Sequence, residues 1–237
     1  MCCAIFGFTI GAADAIIYGF MSHIKAQFLI LIHSLETFLD RTQILLNKDG
    51  YEIDLEKYKN PKKLPNGLCL VEKLPGQAQK YADYCISDII QHHQEILDLA
   101  DGCEHTFSWL LLVQFAGSCL LICMQLYQLS IFPVLSIPFC TMSCYLFLMS
   151  TQIVLFCWHG NEVKLISDEI ADVAFHSNWL VTELKTQKSI LLMITRSIRP
   201  VRLTAGKFIF LSLESFMSLM KGSGSYFMFL KKMNQEE

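Results

Sequence analysis

The chain has 237 residues, 53% hydrophobic and only 17% charged, with a formal net charge of −3 and a mean hydropathy of +0.39. A charged share below the ~25% of soluble domains excludes a disordered chain, a collagen-like fibre and an ordinary water-soluble enzyme. A pI near 6.2 leaves no basic field for nucleic acid. The composition is that of a membrane protein.

In chain order, residues 4–35 form the first candidate span, largely apolar apart from Asp14 and Lys25. Residues 47–76 follow as a turn-rich loop, with Asn60-Pro61 and Pro65-Asn66-Gly67. From 77 to 106, Tyr81, Ile86, Ile89, Ile90, Ile96, Leu97 and Leu99 recur at helical spacing, predicting a helix that runs on into the next span. From His105 to Asn161 no Asp, Glu, Lys or Arg occurs. One span needs about 20 residues, so this stretch holds two, at 107–130 and 138–158, reversing near Pro133 and Pro138. Residues 161–183 continue at helical spacing, and Pro200 separates a short helix at 184–198 from a last span at 204–230. The sequence therefore predicts an all-α polytopic membrane helix bundle, with four visible spans and cytosolic helical extensions at 77–106 and 161–200.

Lys207, Glu214 and Lys221 in the last span are spaced by seven, with Ser218 and Ser225 on the same side. On one continuous helix they make a polar line against Phe216, Met217, Met220, Phe227 and Met228. Ionisable groups within a span face a bundle interior or a wet cavity, so the pattern predicts a pore-lining helix. A helix lying flat on the bilayer would carry the same moment. Basic residues cluster from Arg41 to Lys80 and from Lys164 to Arg202, with none in the turn between the middle spans. By the positive-inside rule both clusters are cytoplasmic and the chain ends lie outside.

Catalytic and metal signatures are missing. The ten cysteines form no C-x-x-C, and Cys119/Cys123 and Cys140/Cys144 stack in pairs as small packing residues. His92 and His93 point to different helix faces and read as solvated or packing histidines. Lys221-Gly222-Ser223-Gly224-Ser225-Tyr226 lacks the strand of a phosphate loop, and its glycines are expected to allow close helix approach or a bend. No enzyme activity and no cofactor is predicted. Arg196, Arg199 and Arg202 read as an interfacial anchor to anionic lipid.

Several local patterns converge on one family. Gln152, Phe156-Cys157-Trp158, Gly160-Asn161, Ser167 and Ala174-Phe175-His176-Ser177-Asn178-Trp179 resemble the sixth-helix signature of insect odorant receptors. The stretches 192–200 and 203–206, then 212–216 and 225–227, resemble that family's approach to its last helix and the helix itself. The resemblance implies a seven-helix receptor of the plasma membrane with an extracellular C-terminus, unrelated to G-protein-coupled receptors. It implies an odorant-gated cation channel assembled as a heterotetramer with an olfactory co-receptor, and a small volatile odorant as ligand. It also implies a pore helix over 204–233 with a hydrophobic gate at Phe229 and Met233, and a ligand pocket whose remaining walls include Met142 and Tyr145. Four spans are visible where the family has seven, so the chain is expected to be a partial receptor starting at the fourth helix. A gustatory receptor of the same superfamily and a non-conducting assembly subunit are the rival readings; a transporter half would need inverted repeats, which are absent.

Overall fold

The computed structural model describes residues 2–59, 62–63, 69–70, 72–133 and 136–233. Side chains are described for 11–59, 72–133, 136–226, 228 and 232. Among them are seven α-helices: α1 (Cys2–Glu36), α2 (Phe38–Lys48), α3 (Glu56–Lys59), α4 (Gly76–Ile131), α5 (Ile137–His176), α6 (Leu184–Ser197) and α7 (Leu213–Met233). A short 3-10 helix (Trp179–Val181) and two antiparallel pairs of two-residue strands complete the set, β1 (Lys62–Lys63) with β2 (Cys69–Leu70) and β3 (Thr204–Ala205) with β4 (Ile209–Phe210). The all-α bundle is thus the fold. Among the described residues three helices are long and apolar enough to cross a membrane: Gly11–Glu36 within α1, and α4 and α5. In α7, Glu214, Lys221 and the serines dilute the apolar residues.

The chain divides into two compact units. The first comprises Met1–Ser22, Ala100–Lys164 and Arg202–Glu237, and the second His23–Leu99 and Leu165–Val201. In the second unit the buried positions follow the helical repeat. Ile24, Phe28, Leu31 and Leu35 face inward from α1, and Ile86, Ile89, His93 and Ile96 from α4. His93 thus occupies a core position. α2 and α3 replace part of the expected loop, with Leu55 and Tyr58 buried and the Leu55 N–H donating to Gln43 Oε1 at 2.9 Å. Asn60-Pro61 and Pro65-Asn66-Gly67 lie outside the described residues.

In the first unit the core gathers around Phe115 and Phe156, whose ring centroids are 6.4 Å apart, with Tyr18 4.7 Å from Phe156. The Gln152 amide donates to the Asp14 carboxylate, and the Tyr18 hydroxyl donates to the Gln152 backbone oxygen at 3.2 Å. The acidic residue inside the first span is thereby tied to the third, as an ionisable group in hydrocarbon requires. α5 opens with Ser136 accepting from the Phe139 N–H at 3.3 Å and with Pro138 in its first turn, where proline costs no hydrogen bond.

Candidate functional site

The segment between Pro200 and Ser212 decides where the last helix begins. Its expected start at 204 is wrong, because the chain makes a hairpin first. Thr204 pairs with Phe210 and Ala205 with Ile209. Gly206 and Lys207 both take φ of 63°, the double positive φ of a type I′ turn, and the Phe208 N–H donates to the Ala205 oxygen at 3.3 Å. Lys207 is therefore not on the helix, and its spacing of seven from Glu214 carries no facial meaning. A cap starts the helix instead: the Ser212 hydroxyl accepts from the Ser215 N–H at 3.2 Å, and Glu214 follows in the first turn, where the helix dipole favours it. Ser212 ahead of Leu213-Glu214-Ser215 was a readable start signal.

Five contacts hold that segment. The Gly206 N–H donates to the Ser108 oxygen at 2.8 Å, and a Cβ at Gly206 would run into the Leu112 side chain. Thr204 Oγ1 donates to Glu104 Oε1 at 2.6 Å. A Cβ at Gly160 would overlap Leu211, including its backbone. The Val201 N–H donates to Ser167 Oγ at 2.7 Å. Gly160 and Gly206, noticed in the sequence only as parts of a signature, are thus residues that pin the foot of α7.

At 100° per residue, Glu214, Ser218, Lys221, Ser225, Met228 and Lys232 fall within about 40° of one line along α7. All six are exposed. Met228, expected on the apolar side, belongs to this line and is 65% exposed. Ser223 lies diametrically opposite and is wholly buried, with Phe216 and Leu219 half-buried beside it. Ser223 sits against α4, its hydroxyl 3.7 Å from Cys119 Sγ, while the Cys123 thiol donates to its backbone oxygen at 3.9 Å. The close approach expected of the glycines is made by this serine, since a Cβ at Gly222 or Gly224 would meet nothing within 4 Å. Phe229 and Met233 fall on α7, but their side chains lie outside the described residues. Met142 is half-buried and Tyr145 exposed, one turn apart on α5.

A family model described as 7tm odorant receptor matches residues 1–224. The chain belongs to the 7tm odorant receptor family. Among its curated relatives, odorant receptor 10 of Aedes albopictus is 30% identical over 153 residues, covering 65% of the chain and 40% of the relative. Odorant receptor 22c of Drosophila melanogaster is 27% identical over 62% of the chain and 36% of its own length. The chain spans about 40% of the length of the curated relatives it matches. Among solved structures, the olfactory receptor OR5 of Machilis hrabei in complex with eugenol superposes with a TM-score of 0.56 at 14% identity. That match covers 96% of this chain and 70% of the receptor. The likeness establishes the fold. Family and apolar helices together make this chain a multi-pass membrane protein.

His93 and His92 divide as packing residues do. His93 is buried, with Nε2 3.4 Å from Ser197 Oγ. Burial first, then the positive Arg196 and neighbouring His92, lower its pKa to about 4. His92 lies 2.9 Å from Gln27 Oε1. Among the described residues no His, Cys, Asp and Glu cluster could hold a metal ion.

Proposed function

We propose that this chain forms the fourth-to-seventh-helix portion of an odorant-gated cation channel subunit in olfactory signal transduction, with α7 lining the conduit. One observation carries the reading. α7 keeps a continuous line of Glu214, Ser218, Lys221 and Ser225 exposed while its other side, at Ser223, is sealed against α4. A polar helix face in a membrane protein needs a wet wall or a protein neighbour, and symmetric subunits around an axis supply both. Phe229 and Met233 further along the helix are the proposed dewetting constriction. Eugenol bound to the Machilis receptor of the same fold favours a small organic ligand. Such a ligand opens the channel only through higher affinity for the open arrangement; Met142 and Tyr145 are proposed to touch it. We place the protein in the plasma membrane with its C-terminus extracellular, from the basic connections, and assign it an olfactory co-receptor as partner.

The test is co-expression with the co-receptor and voltage-clamp recording over a panel of volatile organics. An odour-evoked cation current whose selectivity changes in Glu214→Gln and Phe229→Ala is the expected result. Surface delivery with the co-receptor but no current would overturn the channel reading and leave an assembly subunit.

A further inference from the structure

Beside the first two turns of α7 lies a cleft of about 610 Å³, within the size range of small-molecule sites. Phe115 and Ala116 of α4 form one wall, Phe208 and Phe210 of the hairpin another, and Leu219 of α7 a third. Phe115 and Leu219 are buried or half-buried, whereas Ala116 and Phe208 are open, so the apolar surface is reachable from outside. The single charged residue in the lining is Glu214, accompanied by the hydroxyls of Ser212, Ser215 and Ser218. Ser212 and Ser215 are 3.0 Å apart and serve each other and the helix start, which leaves Ser218 and the exposed Glu214 carboxylate as the polar end. No basic side chain lines the cleft; the Arg202 guanidinium lies 5.5 Å from the centroid of the Phe210 ring.

We infer that this cleft is a binding site for an amphiphilic organic monocation, with its aromatic body against Phe115, Phe208 and Phe210 and its cationic head at Glu214. The chemistry selects that class. A neutral apolar molecule gains the burial but makes no use of the Glu214 carboxylate at the open end of the cleft. An anion is repelled. A cation that is apolar elsewhere gains both terms, and the aromatic faces add attraction of their own. The site is separate from the odorant surface at Met142 and Tyr145, which lies on α5. Its occupant would bridge α4, the hairpin and the foot of α7, so it would hold α7 in its packed arrangement.

The experiment measures binding, not current, so it does not depend on the channel reading. The purified chain, in nanodiscs of phosphatidylcholine, is titrated with a dimethylaminostyryl-methylpyridinium dye and followed by fluorescence. Saturable binding is expected, weakened about tenfold in Glu214→Gln and kept within about twofold in Glu214→Asp. Ala116→Trp, at an open position, fills the cleft and abolishes saturation. The uncharged dimethylaminostyryl-pyridine parent binds about tenfold more weakly and is indifferent to Glu214→Gln. Dye affinity unchanged in both Glu214→Gln and Ala116→Trp overturns the site. So does equal loss in Glu169→Gln, an exposed carboxylate outside the cleft lining.

Discussion

The two units are held together by different means. In the second, long-period apolar faces meet in the way of a soluble domain, and its helices carry polar ties such as Arg41–Asp88 at 2.9 Å and Lys59–Asp40 at 2.6 Å. Such exposed pairs contribute little each; the stabilising part is the buried run of Ile, Leu, Phe and Ala. In the first unit, backbone proximity matters more: Gly160 against Leu211, Gly206 against Leu112, Ser223 against Cys119 and Cys123. A lipid setting for the helix contacts of the first unit would produce this difference. Within lipid, apolar burial offers little drive, so helices associate where small residues let them approach and where polar groups find partners. Hydrocarbon rewards closeness, water rewards amphipathicity.

The largest effect should come from filling a close approach. Gly160→Leu places a side chain into Leu211 and its carbonyl, which cannot rotate away. Overpacking costs about 1–3 kcal/mol where side chains yield and more where backbone must move. The expected outcome is failure to recover monodisperse protein in detergent, with Gly160→Ala intermediate. Gly222→Ala and Gly224→Ala meet nothing within 4 Å and sit in a helix, so each should be neutral or stabilising by up to about 1 kcal/mol. Equal damage from all four variants would erase the contrast between sealed and open glycines.

The second unit should instead respond to acid. His93 titrates near 4 when folded and near 6.5 when unfolded, so between those values the unfolded chain binds the extra proton. Its contribution to stability is therefore fully present above pH about 6.5 and is lost as pH falls toward about 4. Arg196 and His92 oppose the charged form from neighbouring positions. Thermal unfolding followed against pH should show a fall across that window that His93→Gln flattens. A wild-type midpoint constant from pH 7 to 4.5 would remove the assignment.

These contrasts explain what could be read beforehand. The repeat through Ile86, Ile89 and Ile96 announced a helix because water-facing helices must alternate by face, and α4 indeed runs unbroken from Gly76 to Ile131. His93 was harder to place, since a polar residue at a core register carries no periodic signal of its own. The hairpin at 204–210 was missed for a different reason. Its two-residue strands are too short to show alternation, and Gly206-Lys207 puts the glycine first, unlike the usual Asn-Gly turn. The Asp14–Gln152 tie joins residues far apart in sequence, so it could be found only in the folded chain. The exposed line on α7 was half legible: Glu214, Ser218, Lys221 and Ser225 stand where the spacing put them, whereas Lys207 and Met228 do not.

That tie gives an intermediate test in the first unit. Gln152→Leu leaves the Asp14 carboxyl without its amide donor inside a membrane-crossing helix. An unsatisfied buried polar group costs about 1–3 kcal/mol. Asp14→Leu together with Gln152→Leu removes both partners, and stability should recover most of that loss. Thermal unfolding of the two single variants and the double variant closes the cycle. Strict additivity would mean the two residues do not stabilise one another.

The smallest effect belongs to Lys207, where the same substitution separates a strained turn from a wet wall. A non-glycine residue at φ of 63° costs about 1–2 kcal/mol of left-handed strain. Lys207→Gly should therefore raise stability by about 1 kcal/mol, and Lys207→Asn by less. Because Lys207 stands in the hairpin turn and not on α7, neither change should alter conductance in the co-expressed receptor. Lys221→Gln, on the exposed line, should alter conductance with little effect on stability, because its side chain is open and its helix position tolerates glutamine. If Lys207→Gly changed ion selectivity as strongly as Lys221→Gln, the wet wall would have to include the turn, and the boundary drawn at Ser212 between support and conduit would fall.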